Sequence, residues 1–546
     1  MTGADESQEL TARRWLLAFV ALTVFSAAAS NGAYHDDDLK HYLFARWVRY
    51  DASYLAHVWG RPGFTLLYAL PAQAGWWACR LLSVGLSAVT AWATFRAAQR
   101  LGLARAAAAV PLVYAQPLFL HLAFTTLTET PTAAYLALAT WARLAGRTTI
   151  AAALFSLTLI TRHEAIVLLP VWAWALWQAR ARWPAWALLL WAPAAYNAAT
   201  WLACGYLPGD IFARPGETTQ YGQGTPLTFF VRFVVMAGPV VTGLAVVGAT
   251  RLWRMRQARP LIAGLALYIA AQTSLYMMQA YASGGYARFL VPLAPWVAIA
   301  ALAGLNSVRV PFPRAPSALC ATAVPTVDAR SDTADTAAAR RLWLAVVAGF
   351  WVLAELEQAF NPIHAIAPYF WAFRFASVLF VAGVACGLWQ GARPVCLAVV
   401  VLALVGPTAR AAWPHRLRPR ERVIAESVER LRANGLADRP LHSTSDWTYY
   451  FADRWYPARQ PLYAQLGTAA PGSLFVWERR YAPSPDFNLQ LKDVHADPRW
   501  REILRSPPDA SGESFVHVFE RLPTIPSSFP SRPVNASFPP AGRRLE

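Results

Sequence analysis

The sequence has few charged residues, few cysteines and almost no lysine. Each of these low counts excludes some classes of protein or of binding site. Charged residues are only 15% of its 546 residues. The five cysteines are scattered without a CxxC pair, so no disulfide framework or thiolate metal site is predicted. Lysine occurs twice among 49 basic residues, at Lys40 and Lys492. The formal charge of +18 therefore reflects an arginine-rich composition rather than a polyanion-binding patch, and no nucleic-acid partner is expected.

The sequence is rich in apolar residues. The chain is 56% hydrophobic, with a mean hydropathy of +0.30 and 25 tryptophans. This composition predicts an α-helical polytopic membrane protein. About 13 apolar stretches approach the length that crosses ~30 Å of hydrocarbon. They lie at 15–30, 78–99, 106–121, 131–145, 148–161, 165–178, 185–203, 228–250, 261–280, 289–307, 342–358, 375–390 and 394–407.

The arginines between these stretches predict the orientation of the chain. Arg13 and Arg14 precede the first apolar run, and we interpret that run as a retained anchor rather than a cleaved signal peptide. A cytoplasmic N-terminus puts most inter-span arginines on the cytoplasmic side and most acidic residues of the span region outside. We therefore expect a multi-pass protein of a bacterial inner (plasma) membrane.

The composition changes beyond about residue 409, where the long apolar runs stop. We expect a small soluble α+β domain at 409–522, outside the cytoplasm, after a transmembrane region at 1–408. Within it, 422–432 is a candidate amphipathic helix, and 473–477 and 514–519 are candidate strands. The stretch at 309–341 is predicted to be a cytoplasmic linker, and the tail at 523–546 to be disordered.

The first external loop, at 31–77, carries the sequence His35-Asp36-Asp37-Asp38. Three adjacent carboxylates repel one another, so at least one pKa should rise unless a cation or metal lies close by. His35 and His41 lie in the same loop, among tyrosines and tryptophans, in a pattern that suits phosphate and sugar. The alternative interpretation is that the aspartates only start a juxtamembrane helix at 39–49.

Three further charged motifs occur at external ends of apolar runs. Glu129 lies in Thr128-Glu129-Thr130-Pro131, and Arg162-His163-Glu164 lies between two runs. The third motif is Gly284-Gly285-Tyr286-Ala287-Arg288-Phe289, in which a glycine pair precedes an arginine that enters a span. Charges at such positions need partners or a water-filled cavity. An arginine held at the surface in this way suits a phosphate ligand.

In these motifs the chain resembles the GT-C superfamily of membrane glycosyltransferases that use polyprenyl-phosphate sugars. The likeness is to its bacterial branch of protein O-mannosyltransferases and lipid A aminoarabinose transferases. It covers roughly residues 10–310: an acidic pair in the first loop, a Glu-containing motif at 127–142, a Thr-Arg-x-Glu segment at 161–164 and a Gly-x-x-Arg pattern at 285–292.

The resemblance implies a mechanism and a set of site residues. It implies that a sugar moves from a polyprenyl-phosphate donor to an acceptor hydroxyl of a glycan, lipid or protein, with inversion. Asp37 is the expected base, followed by Asp38 and Asp36. Arg288 and Arg162 are expected at the phosphate, and Asp36 and Asp38 are candidate ligands of a divalent metal ion. The remaining expected substrate-binding residues are Glu164, Glu129, His35, His41 and Tyr286.

Two other functions stay open from the residues alone. A transporter or flippase for a lipid-linked or anionic solute is one, although the spans show no internal repeat. A membrane assembly protein whose external domain docks partners is the other. In the C-terminal domain, Trp447, Tyr449, Tyr450 and Trp477 are expected either to stack on sugar rings or to pack in the core.

Overall fold

The computed structural model describes most of the chain as helices. The described residues are 3–208, 223–280, 284–307, 393–457, 462–484, 487–508 and 512–523, with single helical positions at Gly349, Val352 and Val378. Apart from these three positions, the predicted spans at 342–358 and 375–390 lie outside the described residues. The whole predicted linker at 309–341 and the tail after residue 523 also lie outside the described residues.

Fifteen helices are described before residue 308. The first eight are α1 Gly3–Ala28, α2 Asp36–Trp47, α3 Pro62–Gln73, α4 Trp76–Arg100, α5 Ala109–Tyr114, α6 Pro117–Leu122, α7 Glu129–Leu144 and α8 Thr148–Thr161. The next seven are α9 Leu169–Gln178, α10 Trp183–Leu188, α11 Trp191–Cys204, α12 Thr228–Ala237, α13 Pro239–Arg254, α14 Arg259–Met277 and α15 Ala294–Ser307. Two 3₁₀ segments matter for the site, at His163–Leu168 and Ala287–Leu293.

The described C-terminal part mixes helices with one sheet. Its helices are α16 Arg393–Ala411, α17 Pro419–Ala433, α18 Asp446–Ala452, α19 Leu462–Thr468 and α20 Leu491–Ala496. Its strands are β1 Leu441–Ser443, β2 Leu474–Glu478, β3 Trp500–Arg505 and β4 Val516–Arg521. The predicted helix at 422–432 and the predicted strands at 473–477 and 514–519 are confirmed as α17, β2 and β4.

The chain divides into two compact units. The first comprises 1–29, 80–195 and 209–414, and the second comprises 30–79, 196–208 and 415–546. The loop at 31–77 therefore belongs to the same unit as the C-terminal sheet. The predicted domain boundary at residue 409 stays a prediction.

Four described helices are long and apolar enough to cross a membrane. They are Asp5–Ala28, Trp76–Arg100, Arg259–Met277 and Ala287–Ser307. A further pair, α12 and α13, passes the same criterion together but bends by 110°. The bend occurs at Gly238, whose φ of 77° is accessible to glycine, and Pro239 then starts α13. A membrane location is thus supported, while the count of about 13 spans stays a prediction.

The long helices turn their small and polar residues inward, as helices in lipid do. In α1, Thr23 and Ser26 are fully buried, whereas Leu17 and Phe25 are more than 60% exposed. The Ser26 hydroxyl donates to the carbonyl of Ala412, 2.6 Å away. These exposures fit a helix whose large apolar side chains face hydrocarbon.

Helices α13 and α15 cross at very short range. A Cβ added to Gly248 would collide with the backbone of Ala300, and one added to Gly304 would collide with that of Leu244. Ala300 and Gly304 are four residues apart, the spacing with which small residues let membrane helices approach. This contact fixes α15, which directly follows the 3₁₀ segment that carries Arg288.

In the second unit, the four strands form one sheet in the order β1-β2-β4-β3. The β1/β2 pair is parallel and the other two pairs are antiparallel. One face buries an apolar cluster that packs under α20, comprising Phe475, Trp477, Ala482, Val494, Trp500 and Phe519. The α+β class predicted for this part of the chain is confirmed.

The segment at 31–77, predicted to be the first external loop, packs on the C-terminal segment within the same unit. Arg46 Nη2 lies 2.6 Å from Asp453 Oδ1, and the Trp47 indole donates to the Arg454 carbonyl at 3.0 Å. The Tyr54 hydroxyl donates to the Tyr456 carbonyl at 2.6 Å. The first two contacts hold α2, which begins with the three aspartates, and the third holds the segment that follows it.

Candidate active site

Four of the predicted site residues meet in the first unit and form a buried ionic cluster: Glu129, Arg162, Glu164 and Arg288. Helix ends position all of them. Glu129 is the first residue of α7, and Arg162 follows the last residue of α8. Glu164 and Arg288 lie in the two 3₁₀ segments that precede α9 and α15. The ends of apolar helices therefore bring these four charged side chains together.

The ionic cluster is closely paired. Arg162 Nη1 lies 2.7 Å from Glu129 Oε1, and its Nη2 lies 3.1 Å from Glu164 Oε1. Arg288 Nε lies 3.5 Å from the same Glu129 oxygen. These four side chains are at most 5% exposed. Removal of one partner from such a buried pair costs about 3–5 kcal/mol because it leaves an uncompensated charge.

Aromatic rings border the two arginines of the ionic cluster. The Arg162 guanidinium carbon lies 4.7 Å from the centre of the Phe289 ring. That of Arg288 lies 4.9 Å from the Tyr286 ring centre and 5.7 Å from the Phe289 ring centre. Cations attract aromatic faces at these distances, and the rings also fix the planes of the guanidinium groups. Tyr286, a predicted substrate-binding residue, thus contacts Arg288, which belongs to the same sequence motif.

A further arginine, Arg232, lies beside the glycine pair. It was not identified as a site residue from the sequence. It is 3% exposed, and its guanidinium carbon lies 5.2 Å from the centre of the Tyr276 ring. A Cβ on Gly285 would clash with the Arg232 guanidinium and the Tyr276 ring. The signal was present, because Arg232 is a lone charge inside the apolar run at 228–250, where an arginine needs a specific environment.

The aspartate motif lies in the second unit and starts α2. His35 caps this helix, since its Nδ1 accepts the Asp37 backbone N–H at 3.3 Å. Asp36, Asp37 and Asp38 then form the first turn, where the helix dipole favours negative charge. The expected helix is therefore confirmed, but it spans Asp36–Trp47 rather than 39–49, and His35 rather than an aspartate is its cap.

Asp36 is held by residues from the C-terminal segment. Arg420 Nη2 lies 2.9 Å from each carboxylate oxygen, and the Trp447 indole donates at 3.2 Å. The Tyr481 hydroxyl donates to the second oxygen. Burial raises the pKa of Asp36, but Arg420 and Arg418 outweigh it and hold that pKa below its usual value. These arginines are the nearby cations that three adjacent carboxylates require.

Asp37 and Asp38 differ from Asp36 in their surroundings. The Asp37 side chain is 42% exposed, and its Oδ2 lies 3.5 Å from His35 Nδ1. Asp38 is fully buried and accepts the Tyr34 backbone N–H at 3.1 Å. His41 is half-buried on the same helix, with its ring centre 5.2 Å from that of Phe64. Asp37 is therefore the most accessible carboxylate of the motif.

Two buried glutamates of the second unit lie near Asp36. Burial raises the pKa of Glu478 to about 7, although its carboxylate accepts the backbone N–H groups of Arg480 and Tyr481. Burial likewise raises the pKa of Glu421, against the opposing charge of Arg418. The charge of this region therefore changes between mildly acidic and neutral pH.

Of the two interpretations left open for the four aromatic residues of the C-terminal domain, the structure favours core packing for three. Trp447, Tyr449 and Trp477 are between 2% and 4% exposed. Trp447 and Tyr449 pack against rings of the first loop, and Trp477 belongs to the apolar cluster of the sheet. The alternative, core packing, is the correct interpretation because aromatic area is most stable when buried.

Metal binding by Asp36 and Asp38 stays a prediction. In the parts of the chain that the structure describes, the one group of three side chains with converging metal-ligand atoms lies elsewhere, at His495, Glu502 and His517. The oxygens of Asp36 already accept hydrogen bonds from Arg420, Trp447 and Tyr481.

The comparisons with known proteins rest on the three-dimensional structure. No family model and no curated protein matches the sequence. ArnT from Cupriavidus metallidurans bound to undecaprenyl phosphate is similar with a TM-score of 0.57 and 14% identity, over 92% of this chain and 97% of that one. The apo state of the same protein gives 0.55 and 13%, over 93% and 98%.

The chain has a GT-C fold. The fold expected from the motifs at 10–310 is therefore confirmed, and the similarity extends to the C-terminal part, in which the sequence showed no resemblance. Within this GT-C fold, the buried ionic cluster and the aspartate motif are the two groups of predicted site residues that the structure brings together, each in its own unit.

Proposed function

We propose that the protein is a membrane glycosyltransferase that moves a sugar from a polyprenyl-phosphate donor to an acceptor hydroxyl. The observation that carries this proposal is the buried ionic cluster, whose two arginines lie at the ends of apolar helices of a GT-C fold. The fold is shared with ArnT, a protein whose solved structure holds undecaprenyl phosphate. A lipid-linked phosphate is the corresponding ligand here.

Arg288 and Arg162 bind the donor phosphate. Guanidinium groups match phosphate oxygens with paired hydrogen bonds, and burial strengthens each contact. Arg232 adds a third positive charge beside Gly285, against the two carboxylates of Glu129 and Glu164. These two carboxylates orient the guanidinium groups, and Tyr286 limits their movement. The surplus of positive charge favours an anionic ligand.

Asp37 is the base, because it is the most accessible carboxylate of the motif. It takes the proton of the acceptor hydroxyl while the hydroxyl oxygen attacks the anomeric carbon. The bond from that carbon to the phosphate oxygen breaks, its electrons leave with polyprenyl phosphate, and the configuration inverts. A phosphate leaving group needs no acid, so one carboxylate is enough.

The neighbours of Asp37 have separate roles in this proposal. Asp38 is the second candidate base, and Asp36 positions α2 through Arg420. His35 caps the helix and orients Asp37, and both His35 and His41 border the sugar and acceptor. Transfer occurs on the outer side of a bacterial inner membrane, with the N-terminus in the cytoplasm and the C-terminal domain outside.

Transfer of radiolabelled sugar from polyprenyl-phosphate donors, measured in membranes that contain the protein, tests this function. Arg288→Ala should lower the rate by at least about 100-fold, the usual effect of a lost group that stabilises charge. Arg254→Ala is the matched control, since Arg254 is exposed at the end of α13. Absence of transfer from every donor by the wild type would refute the proposal and favour a transporter or an assembly protein.

A further inference from the structure

Three metal-ligand side chains converge on the sheet of the second unit, and the proposed transfer uses none of them. They are His495 at the end of α20, Glu502 on β3 and His517 on β4. One ligand atom of each side chain lies within 4.8 Å of those of the other two. One helix and two strands thus each contribute one side chain to this group.

Glu502 is the centre of this group. Its Oε1 lies 2.9 Å from His517 Nδ1, and its Oε2 lies 3.7 Å from His495 Nε2. Ligands of a tetrahedral zinc ion at ~2.0–2.1 Å lie roughly 3.3–3.5 Å apart. The two observed separations fall on either side of that spacing, and the three ligand atoms all lie within 4.8 Å of one another.

The local fold places the three side chains on one face. A register shift between Glu502 and Leu504 interrupts the β3/β4 pairing at this point. The His517 ring centre lies 5.5 Å from that of Trp477, and the His495 ring centre lies 5.2 Å from that of Phe519. Both imidazoles are therefore oriented by the apolar cluster of the sheet.

The exposures of the three side chains differ in a way that suits an open coordination position. The His517 side chain is 9% exposed, that of Glu502 is 21% and that of His495 is 44%. Arg505 Nε is 4.0 Å from Glu502 Oε1, but its side chain is 71% exposed and has space to move away. One carboxylate and two imidazoles match the ligand preference of zinc.

We propose that His495, Glu502 and His517 bind a divalent transition-metal ion of the zinc class, with water as the fourth ligand. The ion links α20 to β3 and β4 and stabilises this edge of the sheet. This site is separate from the aspartate motif and does not depend on the proposed transfer.

Zn²⁺ and Co²⁺ binding to the full-length protein in detergent, purified without a histidine tag and stripped with chelator, tests the proposal. We expect a single Co²⁺ per chain with the visible absorption of a tetrahedral site, and a higher unfolding temperature with Zn²⁺. His495→Ala and His517→Gln should each weaken binding by at least about 10–100-fold, the loss known for even outer groups of metal sites.

His442→Gln is the matched control, because His442 lies on β1 of the same sheet and hydrogen-bonds Gln465. It should leave the Co²⁺ affinity unchanged. The exposed position of His495 makes His495→Ala a variant that should fold, and its chelator-treated unfolding temperature checks this. A wild type that binds neither ion, or equal affinities in the wild type and both site variants, would overturn the proposal and leave a simple Glu502–His517 hydrogen bond.

Discussion

Arg162 lies 2.7 Å from Glu129, and neither side chain is more than 3% exposed. The contact joins the start of α7 to the end of α8, so it contributes to the fold as well as to the site. Glu129 also lies 3.5 Å from Arg288, which makes it the shared carboxylate of two arginines. Loss of the Glu129 carboxylate would leave the buried guanidinium groups of Arg162 and Arg288 with one carboxylate fewer to balance their charge.

We expect Glu129→Gln to lower the free energy of unfolding by about 3–5 kcal/mol because it removes one partner of a buried pair. Arg162→Ala should cost a similar amount. The double variant should lose less than the sum, since the two side chains interact directly. Thermal unfolding in detergent measures the three values, with Arg254→Ala as control. Additive losses would show that the two residues are not coupled.

Glu478 should make the stability of the protein depend on pH. Its pKa in the folded state is about 7, above the value of 4.5 for an exposed glutamate, so the folded state keeps a proton that the unfolded state has lost. Stability should therefore fall as the pH rises from 4.5 through about 7. The contribution of this one group is about 3 kcal/mol.

Glu478→Gln removes this titration, and the fall in stability over that pH range should become smaller. The readout is the slope of unfolding temperature against pH, because loss of a backbone hydrogen bond shifts the variant equally at every pH. Glu513→Gln, at an exposed position, is the control. An unchanged slope in Glu478→Gln would contradict the prediction.

Gly285→Ala should disturb the loop that precedes Arg288 for two reasons. The backbone φ is 59°, and an added Cβ meets the side chains of Arg232 and Tyr276. Gly102 has a φ of 65° with nothing within 4 Å of an added Cβ, so Gly102→Ala isolates the cost of the backbone alone. That cost is about 1 kcal/mol. We expect a larger loss of thermal stability for Gly285→Ala, and equal losses would exclude the steric contribution.

The sequence was sufficient to predict much of the ionic cluster. Glu129, Arg162 and Arg288 are recognisable because each flanks an apolar run on the same predicted side, where a charge is costly without a partner. The strands β2 and β4 followed from their alternation. The contact of Asp36 with Arg420 was not predictable, since 384 residues separate them and no local pattern links the two.

Two other features depended on backbone geometry rather than composition. The run at 228–250 is one apolar stretch in the sequence, yet Gly238 and Pro239 bend it by 110°. Arg232 lies inside that stretch, and only the structure shows that its guanidinium group lies beside Gly285, in the loop that precedes Arg288. The sequence could not decide between sugar stacking and core packing for Trp447 and Tyr449, because burial of an aromatic ring depends on partners far along the chain.

The measurement that tests the account most directly compares binding and transfer in purified wild type and Asp37→Asn. Undecaprenyl phosphate should raise the unfolding temperature of both proteins equally, because the residues proposed to bind the phosphate are Arg288 and Arg162 rather than Asp37. Sugar transfer should fall by about 10²–10⁴-fold in Asp37→Asn, the usual contribution of a general base. Asp438→Asn, at a fully exposed site, should match the wild type in both assays. Wild-type transfer rates in Asp37→Asn would contradict the assignment of the base, and wild-type protein that neither binds the lipid nor transfers sugar would contradict the account as a whole.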